Sequence, residues 1–124
     1  MARILIVEDN QDLAKVISRR FALAGFEVRS VPDGMLAIRE VHQFKPDLIL
    51  LDLLFPAGGG ISVLERLKLS VNTSQIPVMI LTGLEDKEYE SKARKLGVDA
   101  YLKKPYEAEQ LIIEAKKLLN IDAA

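Results

Sequence analysis

Five polar side chains stand where short apolar, β-rich runs end. Glu8 and Asp9 follow the run at 4–7, Asp52 follows 47–51, Thr82 follows 76–81, and Lys104 comes two residues after 100–102. Singly, each has an ordinary structural use. An acid after a strand is commonly a solvated turn residue or a helix cap, and Asp9 or Asp12 suits an N-cap. Together they differ. Three carboxylates brought close repel, so the cluster costs stability unless a cation or a proton intervenes. An all-oxygen set suits a hard divalent ion, and Mg2+ typically takes one or two carboxylates with waters and phosphate oxygens. A lysine nearby supplies a point charge for phosphate. The chemistry these types could perform is phosphoryl transfer. Asp52 would be the nucleophile, and Glu8 and Asp9 would hold Mg2+ against the moving phosphoryl group. Lys104 would pair with one phosphate oxygen and Thr82 would donate its hydroxyl to another.

Those residues must be brought to one place. The run Ile4, Leu5, Ile6, Val7 reads as a strand buried on both faces. Leu13, Val16, Ile17, Phe21 and Ala24 set a helix over 12–24, which Gly25 stops. A second strand spans 26–31. A second helix spans 35–44, with Leu36, Ile38, Val41 and Phe44, and Pro46 ends it. The run at 47–51 is the most hydrophobic and is expected to be central. A loop over 55–60 carries glycine at 58, 59 and 60. Helix 61–70, strand 76–81, helix 86–96, strand 100–102 and helix 107–119 complete the chain. Five strands alternating with five helices predict an α/β, doubly wound five-stranded parallel sheet with helices on both faces, since parallel neighbours need crossovers. The order 2-1-3-4-5, flavodoxin-like, fits five strands, and ligands in such sheets sit at the carboxyl ends beside the switch point. The five polar residues occupy those ends.

Composition bounds the rest. At 124 residues the chain is expected to be one domain over 1–124, with 120–124 a tail or the start of a linker. Seventeen Lys plus Arg against 18 Asp plus Glu give a net charge of −1, which argues against direct nucleic acid binding by this segment. With no cysteine and one histidine, thiol catalysis, Cys-based zinc sites and multi-His metal sites are excluded. That histidine, His42, reads as a surface residue of the second helix. No apolar run approaches the ~20 residues that span a bilayer, and the N-terminus lacks signal-peptide architecture. The expected setting is cytoplasmic, with no membrane partner.

The segments "ILIVEDN" at 4–10, "PDLILLDLLFP" at 46–56 followed by Gly60, "PVMILTG" at 77–83 and "GVDAYLKKP" at 97–105 resemble the receiver domain of two-component response regulators, over the whole chain. The resemblance implies a signalling domain, not an enzyme, that accepts a phosphoryl group on Asp52 from a phosphohistidine of a sensor histidine kinase or phosphotransfer protein. It implies Mg2+ bound by Glu8, Asp9, Asp52 and the backbone carbonyl of Leu54. Lys104, before Pro105, takes the family's lysine role, while Lys103 is expected to point to solvent. Thr82 and Tyr101 match the family's switch pair. The implied output surface is the fourth helix, fifth strand and fifth helix, facing a downstream protein, an attached output domain or a second copy. The chain is then either a complete single-domain regulator or part of a longer one.

Several features are particular to this sequence. Phe55 stands where many relatives carry Met, and the glycine-rich stretch predicts a mobile loop after the third strand. Gly83 keeps the approach to phosphate open. The fourth helix has only a thin apolar stripe, Tyr89, Ala93 and Leu96, which predicts a low opening energy. Phosphorylation adds roughly −1.5 to −2 charges. Thr82 and Lys104 would meet phosphate oxygens only in that state, and such a difference would bias that helix. Leu54 and Leu84 flank the path of a hydrolytic water and cannot orient it, which predicts a long-lived phosphoryl state. In the fifth helix Leu111, Ala115, Leu118 and Leu119 share a face. Ile113 lies opposite them, either as an isolated exposed residue or as a partner contact. Three other readings compete. A degenerate receiver would signal by protein contact alone. A dehalogenase-like aspartyl-phosphate phosphatase would need an acid where Leu54 stands. A flavodoxin-like cofactor binder would need a hydroxyl- and glycine-rich loop where Glu8, Asp9 and Asp12 stand.

Overall fold

The computed structural model describes residues 1–52, 59–82 and 87–121. Its elements alternate as β1 (Arg3–Val7), α1 (Gln11–Leu23), β2 (Glu27–Val31), α2 (Gly34–Phe44), β3 (Leu48–Asp52), α3 (Gly59–Leu69), β4 (Val78–Thr82), α4 (Lys87–Lys95), β5 (Ala100–Lys103) and α5 (Ala108–Leu118). The strands form one parallel sheet in the order β2-β1-β3-β4-β5, the predicted topology. Strand pleating sorts the core into two layers. Leu5, Val7, Ile49, Leu51, Val78 and Ile80 pack under Ala37, Val41, Val63, Leu64 and Ala93 of α2, α3 and α4. Ile4, Ile6, Leu48, Leu50, Met79 and Leu81 pack under Ile17, Phe21, Leu111 and Ala115 of α1 and α5. Every residue of β3 and β4 is buried, which explains their unbroken apolar runs. Among the described residues no helix is long and apolar enough to cross a membrane.

The helices differ from expectation in which apolar residues face inward. In α1 the inward residues are Ala14, Ile17 and Phe21, while Val16 is 59% exposed and Ala24 is exposed too. In α2 Ala37 is buried and Leu36 is 39% exposed. An alanine at the inward position lets each helix sit close on the sheet, which turns a bulkier neighbour outward. The N-cap of α1 is Asn10, whose side chain accepts from the Leu13 N–H at 3.1 Å, rather than Asp9 or Asp12. Asp33 caps α2 in the same way, at 2.8 Å from the Leu36 N–H. The third helix begins at Gly59, inside the stretch expected to be loop. First-turn N–H groups have no intrahelical partner in any sequence, so glycine disturbs few bonds there. The remainder of the predicted mobile loop, with Phe55, lies outside the described residues.

One ion pair fixes how β4 and β5 begin. Asp99 Oδ2 accepts from the Val78 N–H at 2.8 Å and from Lys68 Nζ at 3.1 Å, and Lys68 also donates to the Ile76 carbonyl at 3.1 Å. These bonds join α3 to the starts of both strands, and so set where Thr82 and Lys103 end.

The start of α2 meets α3 without spare room. A Cβ on Gly34 would run into Val63 Cγ2. Gly34→Ala is expected to lower unfolding free energy by about 1–3 kcal/mol, as overpacking does, read by urea denaturation. Recovery is expected when Val63→Ala is added.

Candidate functional site

Parallel pairing places the carboxyl ends of β1, β3, β4 and β5 along one rim. Val7 is in register with Leu51, so the next residues, Glu8 and Asp52, are neighbours on adjacent strands. Glu8 stays in the ladder, its N–H donating to the Val31 carbonyl at 3.0 Å. Asp52 is level with Leu81, and Thr82 with Lys103. The Lys104 N–H donates to the Thr82 carbonyl at 2.7 Å, which extends the β4–β5 ladder by one bond. The Lys104–Pro105 peptide is cis.

Burial separates the acids. Glu8 and Asp52 are each 1% exposed and Thr82 is 0% exposed, whereas Asp9 is exposed. Lys104 Nζ lies 2.7 Å from Asp52 Oδ2, an ion pair close in distance but not aligned as a hydrogen bond. Glu8 Oε2 accepts from the Asn10 N–H at 3.0 Å, while Glu8 Oε1 and Asp52 Oδ1 are buried without a hydrogen-bond partner. Burial, and then the adjoining Asp52 carboxyl, push the Glu8 carboxyl up to about 8, against the opposing pull of the Asn10 N–H. Asp9 also acts on Glu8, so it borders the pair. Of the two or three acids expected to converge, Glu8 and Asp52 are a buried pair and Asp9 is an exposed neighbour, because the chain is already turning into the Asn10 cap at Asp9. Among the described residues no three acidic or histidine side chains form a ready-made metal cluster. The pair nonetheless fits a hard cation. One or two carboxylates are what Mg2+ ordinarily takes from a protein, and three buried oxygens here, Glu8 Oε1 and both of Asp52, have no hydrogen-bond partner among the described residues.

Tyr101 sits within β5, partly buried against the core layer under α2–α4. Tyr89 of α4 packs there too, and burial and Tyr101 raise its phenol pKa. The predicted α4 stripe is present: Ala93 is fully buried and Tyr89 and Leu96 are partly buried. Lys103 is exposed, as expected, with Nζ 3.5 Å from Glu90 Oε1. His42 is exposed, and Ile113 is 47% exposed. Leu54 and Leu84 lie outside the described residues.

Sequence reasoning missed Tyr106. Its hydroxyl is buried without a hydrogen-bond partner, and its pKa is pushed up to about 12 by burial and then by the charges of Asp52 and Glu8. A neutral phenol is thus held near the acid pair. The available signal was a hydroxyl-bearing aromatic two residues after Lys104.

A flavodoxin-like sheet with a buried acid pair, a lysine and a threonine at its carboxyl rim defines a class of phosphate-handling α/β domain. Comparison with known proteins narrows it. The family model for the response regulator receiver domain matches residues 4–116, and the chain belongs to that family. The DNA-binding dual master transcriptional regulator RpaA of Synechocystis is 34% identical over 120 residues, 97% of this chain and 50% of that protein. The phosphate regulon transcriptional regulatory protein PhoB of Escherichia coli is 32% identical over 118 residues, 95% of this chain and 52% of that protein. The chain thus spans about half the length of the curated relatives it matches. Among solved structures, the signal receiver domain of a histidine kinase from Syntrophus aciditrophicus matches with a TM-score of 0.88 at 31% identity, covering 97% of this chain and 91% of that one. The domain is therefore a signalling module.

The raised Glu8 pKa carries a sign. The folded, metal-free chain holds a proton that the unfolded chain releases near the ordinary value of 4.5. The stability this group contributes is therefore full below 4.5 and is lost as pH rises through about 8. Urea denaturation in EDTA is expected to show that decline, flattened in Glu8→Gln; parallel pH profiles would remove Glu8 as its source.

Proposed function

We propose that this chain is a phosphorylation-dependent switch in which Asp52 receives a phosphoryl group from the phosphohistidine of a sensor histidine kinase or phosphotransfer protein. The observation that carries the reading is the Asp52 carboxylate, 1% exposed, beside Glu8 and 2.7 Å from Lys104 Nζ. An Asp52 oxygen attacks phosphorus, and the histidine N–P bond breaks as the O–P bond forms. Glu8, Asp9, Asp52 and the Leu54 carbonyl are the proposed Mg2+ ligands, and the ion when bound supplies charge neutralisation for the transferred group. Lys104 supplies a further positive charge for the phosphoryl oxygens, and Thr82 a hydroxyl. These interactions exist only in the phosphorylated state, and that difference is what shifts a two-state equilibrium.

The proposed output is the face formed by α4, β5 and α5, read by a downstream protein, an attached output domain or a second copy of the chain. The proposed setting is cytoplasmic, with residues 1–124 acting as one receiver unit, 120–124 as its tail or the start of a linker, and no direct nucleic acid contact. The domain's own chemistry is limited to its phosphorylation and dephosphorylation.

With Mg2+ and a small acyl-phosphate donor, the chain is expected to gain one base-labile phosphoryl adduct by mass spectrometry, absent from Asp52→Asn. Thr82→Ala is expected to keep the adduct and lose most of the α4 amide shifts induced by a beryllium fluoride phosphate mimic. An adduct that persists in Asp52→Asn would end the assignment. Since Leu54 and Leu84, two residues after Asp52 and Thr82, carry no group that can orient a water, the phosphoryl state is expected to outlast minutes. Leu54→Asn or Leu84→Asn is expected to shorten its half-life, followed by loss of the mass adduct.

A further inference from the structure

Toward the rim where the strands begin, the last turns of α2 and α3 leave a cavity of about 210 Å³ between them, lined by Ile38, His42, Arg66, Leu67, Ser70 and Thr73. Helical spacing gathers this lining. Ile38 and His42 are four residues apart on α2, and Arg66 of α3 is four residues before Ser70, just past its end. Leu67 and Thr73 are buried and make the floor with half-buried Ile38, while His42 and Arg66 are exposed at the mouth.

The floor is fixed by hydrogen bonds. The Thr73 hydroxyl donates to the Leu67 carbonyl at 2.6 Å, and the Ser70 carbonyl accepts from the Thr73 N–H at 3.2 Å and the Ser74 N–H at 2.8 Å. On α2, the Val41 carbonyl accepts from the Lys45 N–H at 3.1 Å. The donors of the mouth are not engaged. Among the described residues the side chains of His42, Arg66 and Ser70 have no hydrogen-bond or ion-pair partner, and no carboxylate lines the cavity. Arg66 brings a fork of N–H groups and a permanent charge, His42 a ring N–H in either neutral tautomer, and Ser70 a hydroxyl.

These features select a ligand. Donors without acceptors, one of them always charged, call for an anion, and the planar fork of Arg66 suits a carboxylate. The apolar floor of Ile38 and Leu67 calls for a body that gains by leaving water. A water takes about 30 Å³ in the liquid, so the cavity has room for roughly seven. That is the bulk of a single ring rather than of a peptide segment. The carbonyl ends of the two helices oppose an anion. Each end amounts to only about half an elementary charge, however, and the carbonyls named above already accept bonds, whereas the guanidinium brings a whole charge to the mouth.

We infer that the α2–α3 cavity binds a small carboxylate with a compact apolar body. The body lies on Ile38 and Leu67, and the carboxylate meets Arg66, His42 and Ser70. The inference does not rest on the phosphoryl reading, since the cavity is at the opposite end of the sheet from Asp52.

The probe is benzoate, titrated into the isotope-labelled full chain and followed by amide shifts. Benzamide, its uncharged counterpart, and inorganic phosphate, an anion without an apolar body, serve as controls at the same pH and ionic strength. Benzoate is expected to give saturable shifts centred on residues 38–42 and 66–73, with a Kd of ~1 mM or tighter. Benzamide and phosphate are expected to bind about tenfold more weakly or not at all. Arg66→Gln is expected to weaken benzoate about tenfold, and Ser70→Ala about threefold. Arg66 is exposed, and circular dichroism checks that its variant folds. Absence of saturable benzoate shifts, shifts centred elsewhere, benzamide or phosphate binding as tight as benzoate, or undiminished binding to folded Arg66→Gln would overturn the proposal.

Discussion

Two carboxylates meet on adjacent strands at a buried rim, and the structure brings one ammonium to them. Glu8 and Asp52 are nearly inaccessible to water, and among the described acids Lys104 pairs with Asp52. Like charges in a poorly solvated setting raise each other's cost of ionisation, and the elevated Glu8 pKa is the same fact seen from the proton's side. Among the described residues this leaves two buried carboxyls facing one ammonium, an electrostatic deficit that a proton on Glu8 relieves.

Holding them is the work of the apolar strands. β3 and β4 are buried along their whole length, and β1 is buried from Ile4 to Val7, so the strands that present Glu8, Asp52 and Thr82 cannot slide without exposing a core layer. At the opposite rim, Lys68 and Asp99 tie α3 to the first residues of β4 and β5. The other side of the molecule is held more lightly. β5 is only partly buried, and Ala93 is the one fully buried residue of α4 among those described. A rigid acid rim beside a lightly packed helix and strand is the arrangement in which a local charge change can move something.

Much of this was legible in the sequence. The alternation of apolar runs and helical spacings carries the sheet order, because parallel neighbours demand crossovers, and the acids after 4–7 and 47–51 are visible as breaks in hydrophobicity. Three kinds of detail were not. Periodicity could not choose between Val16 and Ala14, since both satisfy the α1 stripe and only the packing distance to the sheet decides. The three acids look alike in sequence, yet the backbone turn at Asn10 leaves Asp9 in solvent while Glu8 remains in the ladder. Tyr106 lies beyond the strand ends that the topology rule searches. It feels the charges of Asp52 and Glu8 from the segment between β5 and α5, whose path no propensity encodes.

The last strand joins the two charged regions of the molecule. Lys103, the last residue of β5, and Lys104, just past it, serve different carboxylates, Glu90 on α4 and Asp52 at the rim. Lys104 is further fixed through its N–H to the Thr82 carbonyl, so its main chain moves with the end of β4. Lys103 and Lys104 thus stand one peptide apart, one paired with Glu90 and the other with Asp52. Tyr101, two residues before Lys103 on the same strand, meets Arg94, which in turn donates to Glu90. The rim and the charged surface of α4 are thus connected by four residues of continuous backbone, without any need for a long chain of side-chain contacts.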